Sequence, residues 1–148
     1  MSDQVGVALI GCGYWGMNYV RVFSELEQSR VAVVCDQREE RLEEVARRFP
    51  GVAVTTDLGE ALRMDGVRAA VVATPASTHH QVTRECLEAG KHILVEKPIT
   101  TNSIEAEDLI RVAELNELTL MVGHTFLYNP AIWTVKEHMD QGELGRVY

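Results

Sequence analysis

The sequence predicts an α/β fold in which a doubly wound parallel sheet of about six strands carries helices on both faces. Its apolar segments of strand length are rich in Val, Ile, Leu and Ala and do not alternate with polar residues. That composition is typical of strands buried on both faces. Amphipathic segments separate them, and parallel strands need such crossovers, which are almost always right-handed.

The predicted elements follow one another along the chain. Strands are predicted at residues 5–10, 31–35, 52–54, 69–73, 93–95 and 118–122. A first helix is predicted over residues 15–26. Its apolar side chains recur at helical spacing and are expected to pack on the sheet: Tyr19, Val20, Val22, Phe23 and Leu26. A last helix is predicted over residues 130–139.

Three further helices carry N-terminal capping signals. In each, a side-chain oxygen precedes a Glu or Gln by three residues: Asp57 with Glu60, Thr78 with Gln81, and Asn102 with Glu105. That spacing lets the first side chain accept a hydrogen bond from a free amide in the first helical turn. These helices are therefore expected to start where the preceding strands end.

Length, charge and cysteine usage exclude several classes of protein. A chain of 148 residues has room for one domain. Its net charge of -8 repels phosphate backbones and anionic lipids, so neither nucleic acid nor membrane is expected as a partner. Cys12, Cys35 and Cys86 form neither a disulfide framework nor a zinc motif, which indicates reduced thiols and a cytoplasmic location. No ligand spacing predicts a metal site.

A glycine-rich turn follows the first predicted strand. Gly11, Gly13 and Gly16 form G-x-G-x-x-G at the opening of the first helix. The first glycine permits a tight turn, the second lets a diphosphate approach the backbone, and the third lets helix and strand pack closely. The helix N-terminus adds unpaired amides and a partial positive charge. The turn therefore predicts a dinucleotide site.

An acidic residue ends the second predicted strand. Asp36 lies 20 residues beyond Gly16 and can accept hydrogen bonds from an adenosine ribose. Its carboxylate would repel a 2'-phosphate, so NAD is favoured over NADP. The positive charge of Arg38 could weaken this repulsion. Two alternatives stay open. The glycines could simply make a turn while Asp36 caps a helix, or the site could belong to a methyltransferase.

Further polar residues follow the later predicted strands. Thr74-Pro75 follows the fourth, Glu96-Lys97-Pro98 the fifth, and Gly123-His124 the sixth. Ligands of open parallel sheets bind outside these carboxyl ends. An amine at a crowded edge loses water and gives up its proton more readily, so Lys97 is a candidate base. In the alternative interpretation Glu96 and Lys97 are solvated loop charges.

The order and spacing of these motifs resemble one known family. The glycine-rich turn, Thr74-Pro75 with His79, Ala89-Gly90-Lys91-His92, Glu96-Lys97-Pro98 and Gly123-His124 are similar to the N-terminal, NAD-binding Rossmann domain of the glucose-fructose oxidoreductase, inositol dehydrogenase and MocA (Gfo/Idh/MocA) family. The turn at 13–16 and the string 123–130 look most like members that act on nucleotide-linked sugars, such as 3-dehydrogenases. This resemblance disfavours the methyltransferase.

The resemblance implies a role for each matched residue. The residues implied around the diphosphate are Gly11, Gly13, Tyr14, Trp15 and Gly16, and those at the adenosine are Asp36 and Arg38. Thr74, Pro75 and His79 would lie beside the dinucleotide crevice. Glu96 and Lys97 would lie near the nicotinamide, and Lys97 and His124 would line the sugar pocket. For Trp15 and His124 simple packing is the alternative. Lys97 would act as the catalytic base.

The resemblance also implies an activity and a domain organisation. The activity is NAD(P)-dependent transfer of a hydride between nicotinamide and a secondary alcohol of a sugar or nucleotide-sugar. The Rossmann domain is expected over residues 1–141, with residues 142–148 opening a second domain for substrate binding and oligomerisation. A homo-oligomer is expected at full length. In the alternative, the 148 residues alone are a dinucleotide-binding module that is incomplete for catalysis.

Overall fold

A computed structural model describes residues 4–146 as a six-stranded sheet covered by helices on both faces. The strands are β1 (Val5–Ile10), β2 (Ser29–Cys35), β3 (Ala53–Thr55), β4 (Val67–Val72), β5 (His92–Val95) and β6 (Leu120–Val122). They pair in parallel in the order β3-β2-β1-β4-β5-β6. The predicted fold class is confirmed, and every predicted strand overlaps an observed one.

Six α-helices connect or follow these strands. They are α1 (Tyr14–Glu25), α2 (Glu39–Arg48), α3 (Leu58–Arg63), α4 (His79–Glu88), α5 (Ser103–Leu115) and α6 (Pro130–Asp140). Short 3-10 turns occupy Ala76–Thr78 and Thr125–Tyr128. Within residues 4–146, no helix combines the length and apolar character needed to cross a membrane.

The core lies on both faces of the sheet, because successive residues of β1 point in opposite directions. Ala8 and Ile10 pack with residues of α3, α4 and α5, whereas Val7 and Leu9 pack with residues of α1 and α2. All four side chains are at most 4% exposed. This two-sided burial explains why the strands read as continuous apolar segments in the sequence.

The prediction of which α1 side chains face the sheet is partly wrong. Val20 is fully buried and Phe23 is partly buried, as expected. Val22 and Leu26 are instead exposed. Val22 lies two positions from Val20 and therefore falls on the opposite side of a helix with 3.6 residues per turn. Leu26 follows the last helical residue and has extended backbone angles, so it leaves the helical face.

Two of the three predicted helix caps are confirmed. Asp57 accepts a hydrogen bond from the Glu60 amide at 2.7 Å, and Asn102 accepts one from the Glu105 amide at 2.9 Å. Thr78 precedes α4 but makes no capping bond. A 3-10 turn runs directly into α4 there, and the Thr78 hydroxyl donates to the Pro75 carbonyl oxygen at 2.8 Å.

The C-terminal part of the described chain lies outside the core. Helix α6 begins at Pro130 and has no buried residue. Residues 142–144 form a turn. The segment predicted to open a second domain, residues 142–148, ends in residues 147 and 148, which lie outside the described residues. That domain boundary therefore stays a prediction.

Candidate functional site

The carboxyl ends of the strands bring the predicted site segments to one edge of the sheet. The strand order reverses between β1 and β4, and ligands of open α/β sheets bind outside the carboxyl ends at such a switch point. Gly11 and Asp36 follow β1 and β2, on one side of it. Thr74 and Glu96 follow β4 and β5, on the other. Segments distant in sequence therefore face one crevice.

Two glycines of the turn are required by their surroundings. Gly11 has a φ of +91°, and a Cβ there would lie 2.8 Å from backbone atoms of Ala73 and Thr74. A Cβ at Gly16 would lie 2.1 Å from the Gly11 carbonyl oxygen. Any side chain at either position would push the turn away from its neighbours. These glycines thus hold α1 close to the end of β1.

The middle glycine leaves the turn open to a ligand. A Cβ at Gly13 would meet only the Nη1 atom of Arg41, at 3.2 Å. Gly13 is also the N-cap of α1 and has no side chain to cap the free amides of the first turn, which contains no acidic residue. Unpaired amides without a competing carboxylate fit a diphosphate. The turn therefore has room and hydrogen-bond donors for the group predicted to bind there.

Asp36 is held in place by the backbone. Its side chain is 8% exposed. Its Oδ2 atom accepts the Cys12 amide at 2.6 Å, and its Oδ1 atom accepts the Arg38 amide at 3.0 Å. Each carboxylate oxygen has two acceptor sites, so both oxygens can still accept from ribose hydroxyls. Asp36 is therefore positioned before any ligand binds.

Two arginines stand next to this carboxylate. Arg38 Nε lies 3.6 Å from Asp36 Oδ1, and Arg41 Nη1 lies 3.7 Å from Asp36 Oδ2. Arg38 was predicted as a site residue, whereas Arg41 was missed. Arg41 belongs to α2 and lies three residues after Arg38, a spacing that places both on one side of a helix start. That spacing was the available sequence signal.

A cleft of about 610 Å³ joins these groups. Of the predicted residues it is lined by Gly11, Gly13, Asp36, Arg38, Thr74 and Pro75. Arg41 and Thr78 also line it, and neither was predicted as a site residue. Small-molecule and cofactor pockets usually measure about 300–1,000 Å³. The cleft therefore has the size and the polar groups of a cofactor site at its adenosine side.

Tyr14 and Trp15 begin α1 at the mouth of the turn. Tyr14 is 81% exposed and Trp15 is 49% exposed. Their rings meet edge to face at 5.5 Å between centroids. Trp15 therefore does not fill the core of the described chain, and its role at the diphosphate stays a prediction. Both rings remain accessible to a ligand that binds at the turn.

His79 lies behind the wall of the cleft. It is 1% exposed, with ring Nδ1 2.7 Å from the Pro98 carbonyl oxygen and Nε2 2.9 Å from the Thr74 carbonyl oxygen. Both ring nitrogens therefore lie within hydrogen-bond distance of backbone carbonyl oxygens. His79 thus joins the loop after β4 to the loop after β5 and reaches the crevice through Thr74. The crevice role predicted for His79 is, in this geometry, an indirect one.

Glu96 is buried and points into the protein. Its side chain accepts the Tyr19 hydroxyl on Oε1 at 2.7 Å and the Lys97 amide on Oε2 at 3.1 Å. Burial, and next the hydrogen bond to Glu96, raise the pKa of Tyr19 well above its usual range, so Tyr19 remains a donor. The sequence predicted Tyr19 only as a packing residue. No local pattern connects it to Glu96, 77 residues away.

Lys97 follows Glu96 at the end of β5, and the Lys97-Pro98 peptide is cis. Lys97 is exposed. The expectation that a crowded edge removes water from its amine is therefore wrong for the described residues, because no described element covers it. His124 is exposed too, at the end of the neighbouring strand β6. Packing inside the described domain thus does not account for His124.

The remaining candidates for chemistry are buried. Cys12, Cys35 and Cys86 are free thiols in the core. Burial, the main cause in each case, raises the pKa of Cys12 and Cys35 to about 11 and that of Cys86 to about 12. These thiols are therefore unreactive near neutral pH. Among residues 4–146, no three His, Cys, Asp or Glu side chains are grouped as a metal site would require.

Comparison with known proteins agrees with this geometry. A family model described as "Oxidoreductase family, NAD-binding Rossmann fold", that of the Gfo/Idh/MocA proteins, matches residues 5–124. The matched segment contains the glycine-rich turn, Asp36 and the Glu96-Lys97 pair. The family resemblance stated from the sequence is confirmed.

Curated relatives are named as dehydrogenases. An inositol 2-dehydrogenase of Mycolicibacterium smegmatis is 39% identical over 148 residues, which are 99% of this chain and 43% of the relative. A 4-carboxy-2-hydroxymuconate-6-semialdehyde dehydrogenase of Sphingobium is 30% identical over 93% of this chain and 44% of the relative. The chain thus spans less than half the length of these relatives.

Solved structures share the fold. A 3-ketoreductase from Actinomadura kijaniata, determined with NADP and TDP-benzene, superposes with a TM-score of 0.87 at 31% identity. The match covers 94% of this chain and 43% of that protein. NAD and NADP therefore both fit the family and its structural neighbours. The chain belongs to the Gfo/Idh/MocA family of oxidoreductases, and residues 5–124 are its NAD-binding Rossmann domain.

Proposed function

We propose that this chain is the cofactor-binding part of an enzyme that transfers a hydride between NAD(P) and a secondary alcohol of a sugar or nucleotide-sugar. One observation carries the proposal. The open glycine-rich turn and Asp36 lie on one side of the β1–β4 switch point, and Lys97 lies on the other. Three strand spacings, about 14 Å, separate the ends of β2 and β5. A dinucleotide lying across this edge would reach from the carboxylate to the amine.

The chain's own residues bind and orient the cofactor. The first-turn amides of α1 would hold the diphosphate at Gly13, and Asp36 would accept the ribose hydroxyls. Thr74 and Pro75 would border the ring side of the crevice, and Tyr14 and Trp15 its mouth. When bound, the nicotinamide ring supplies the hydride acceptor or donor.

Lys97 would move the proton. Its amine is exposed at the carboxyl end of β5, where a substrate hydroxyl could reach it. A base positioned at the reacting hydroxyl contributes about 10²–10⁴-fold to the rate. Glu96 fixes the backbone at this point through the Lys97 amide. His124, exposed at the next strand, would contact the sugar.

The substrate class rests on the relatives. Several relatives are inositol 2-dehydrogenases, and the 3-ketoreductase neighbour was determined with TDP-benzene. Inositol is a ring of secondary alcohols, and a ketoreductase converts a ketone into a secondary alcohol. The buried free thiols support a cytoplasmic protein. The oxidoreductase family match argues against the methyltransferase alternative.

A second candidate function is a dinucleotide-binding module without catalysis. The exposure of Lys97 favours this non-catalytic module for the 148 residues alone, because the described elements leave the substrate side of the amine uncovered. Residues beyond this segment would then supply the rest of the sugar pocket, the partner of Lys97 and the homo-oligomer contacts. The two candidates differ in turnover and not in cofactor binding.

Calorimetric titration with NAD⁺, NADP⁺ and S-adenosylmethionine tests the proposal. We expect a nicotinamide dinucleotide to bind and the methyl donor not to bind. Gly13→Val should weaken dinucleotide binding at least about tenfold, since its methyl groups would occupy the approach of the diphosphate. Gly51→Val is the matched control, because a Cβ at Gly51 meets nothing within 4 Å. Equal binding by both variants would contradict the site.

Absorbance in the NADH band then separates the two candidates. The chain is mixed with NAD⁺ and either myo-inositol or a nucleotide-linked sugar. Turnover that disappears in Lys97→Met but persists in Lys91→Met would support catalysis by this chain. Lys91 is the control because its amine donates to the Val67 carbonyl oxygen, at the opposite edge of the sheet. Dinucleotide binding without turnover would identify the module.

A further inference from the structure

The buried His79 ring lies between two hydrogen-bond acceptors. Its Nδ1 atom is 2.7 Å from the Pro98 carbonyl oxygen, and its Nε2 atom is 2.9 Å from the Thr74 carbonyl oxygen. A carbonyl oxygen only accepts, so both ring nitrogens have to donate if both contacts are hydrogen bonds. A neutral imidazole has one N–H and would direct the lone pair of its other nitrogen at an oxygen. The two contacts therefore fit an imidazolium, which carries a hydrogen on each nitrogen.

A second buried group of opposite charge holds the same loop. Among the buried residues that the structure describes, His79 and Glu96 are the two whose side chains can be charged near neutral pH. The Glu96 carboxylate accepts the Lys97 amide at 3.1 Å, whereas the His79 ring contacts the Pro98 carbonyl oxygen. An anion thus meets the N–H end of the Lys97-Pro98 dipeptide, and an imidazolium would place a cation at its C=O end. Both charges match the polarity of the backbone group they contact.

The other ring nitrogen of His79 connects this loop to the cofactor side. Thr74 follows β4 and lines the 610 Å³ cleft. A ring that donates to both carbonyl oxygens joins the loop bordering the cleft to the loop that carries Lys97. A neutral ring keeps one of these bonds, and the lone pair of its other nitrogen repels the second oxygen. The protonation state of His79 therefore decides whether both loops are held together.

The titratable groups on the neighbouring helices do not supply a carboxylate partner for His79. The Cys86 thiol shares the buried side of α4, and its pKa of about 12, raised mainly by burial, keeps it neutral. His80 and Arg84 of α4 bind Asp108 of α5 instead. Within residues 4–146, the partners of the His79 ring are thus the two backbone carbonyl oxygens.

We propose that His79 is a positioning residue that acts as an imidazolium, binding the carbonyl oxygens of Thr74 and Pro98 and thereby aligning the cofactor loop with the Lys97 loop. Loss of its proton releases one of the two loops. The affinity for a nicotinamide dinucleotide therefore falls as the pH rises through this proton loss. The inference rests on the proposed function, because it takes the crevice as the dinucleotide site. It adds a protonation state and a pH-dependent contact that the sequence motif does not specify.

NMR of the ring nitrogens tests the protonation state without any ligand. The chain is labelled with isotopic histidine, and long-range proton–nitrogen correlation spectra at pH 7 distinguish a protonated ring nitrogen from a bare one. We expect two protonated nitrogens for His79, whose signals are identified by their absence in His79→Gln. His92 is the internal control, because its Nδ1 atom accepts the Thr119 amide at 3.1 Å and has to be bare. A bare nitrogen in the His79 ring at pH 7 would refute the proposal.

Calorimetry with NAD⁺ from about pH 6 to about pH 10 tests what the contact does. Affinity should fall about three- to tenfold over the range in which the His79 ring loses its proton, as loss of one hydrogen bond does. Because the coupling is reciprocal, saturating NAD⁺ should move that proton loss to higher pH. Proton loss from His79 without a change in NAD⁺ affinity would refute its positioning role.

Two variants separate His79 from other sources of pH dependence. The one amide nitrogen of His79→Gln cannot replace two ring nitrogens that face different carbonyl oxygens, and it does not titrate. This variant should bind NAD⁺ at pH 6 as weakly as wild type does at high pH. His80→Gln is the matched control, since His80 binds Asp108 and should leave the pH profile unchanged. A wild-type profile in His79→Gln would contradict the proposal.

Failure of this inference is distinguishable from failure of the proposed function. If wild type binds NAD⁺ with an affinity that does not follow the protonation of His79, the positioning role is refuted and the proposed function stands. If wild type binds no nicotinamide dinucleotide at any pH, the proposed function fails, and with it the positioning role. If His79→Gln does not fold, the wild-type spectrum and the wild-type pH profile decide.

Discussion

The Tyr19 hydroxyl donates a 2.7 Å hydrogen bond to the buried carboxylate of Glu96. Tyr19 lies on α1, just after the glycine-rich turn, and Glu96 lies at the end of β5. The bond therefore connects the expected diphosphate side of the crevice with the expected nicotinamide side. The lack of a side chain at Gly123 leaves space for this hydrogen bond. A Cβ at Gly123 would crowd both partners, at 3.2 Å from the Tyr19 oxygen and 3.3 Å from Glu96 Oε1.

Tyr19→Phe should lower the free energy of unfolding by about 2 kcal/mol, because a hydrogen bond to a charged, buried group would be lost. Urea denaturation with a fixed m-value measures this. Tyr14→Phe is the control, since the Tyr14 side chain is 81% exposed, and it should change stability by less than about 0.5 kcal/mol. Equal stability of both variants would mean that the Tyr19–Glu96 bond contributes nothing.

Gly16→Ala should damage both folding and cofactor binding. The new methyl group would lie 2.1 Å from the Gly11 carbonyl oxygen, so α1 would have to move away from the turn. We expect a loss of stability of about 1–3 kcal/mol and at least about tenfold weaker NAD⁺ binding. Thermal melting and calorimetry measure the two effects.

Gly51→Ala provides the comparison for that variant, because a Cβ at Gly51 has open space around it. It should leave dinucleotide binding unchanged. Wild-type affinity in Gly16→Ala would contradict the requirement for close packing between α1 and the end of β1.

Asp108 should make stability depend on pH. It accepts hydrogen bonds from His80 and Arg84, which join α4 to α5, and one from Arg111 within α5. The bond from Arg84, followed by those from His80 and Arg111, lowers the pKa of Asp108 well below its usual range. A lowered pKa in the folded state means that the stabilisation is present above the unfolded value of about 4 and is lost as the pH falls further.

Asp108→Asn should therefore reduce the melting temperature at pH 7, and the difference from wild type should shrink as the pH falls below about 4. Asp140→Asn is the control, because Asp140 pairs with Lys136 on the exposed helix α6 and should have little effect. A difference between Asp108→Asn and wild type that stays constant from pH 7 to strongly acid pH would rule out this carboxylate as the source.

The sequence predicts what depends on local pattern. Buried parallel strands need continuous apolar residues, so β1 to β6 were found, and Gly11 and Gly16 were identified because the turn tolerates no side chain there. Asp57 and Asn102 cap their helices because the bond spans only three residues. Apart from the close approach of Ala73 and Thr74 to Gly11, each of these features is decided within a few residues along the chain.

Contacts between distant elements were not predictable in the same way. Tyr19 and Glu96 meet only because α1 and β5 lie side by side in the fold, and Arg41 reaches Gly13 from another helix. The exposure of Lys97 depends on what covers the end of β5, which its neighbours in sequence do not specify. Thr78 does not cap α4 as predicted, because a 3-10 turn runs directly into the helix there.

The most direct test of the central claim is a crystal structure of this chain with bound NAD⁺. The account predicts the diphosphate against the amides at Gly13, ribose hydroxyls about 3 Å from the Asp36 carboxylate, and the nicotinamide on the β5 side, facing Lys97. A dinucleotide bound away from the glycine-rich turn, or with its nicotinamide end at β2, would contradict it.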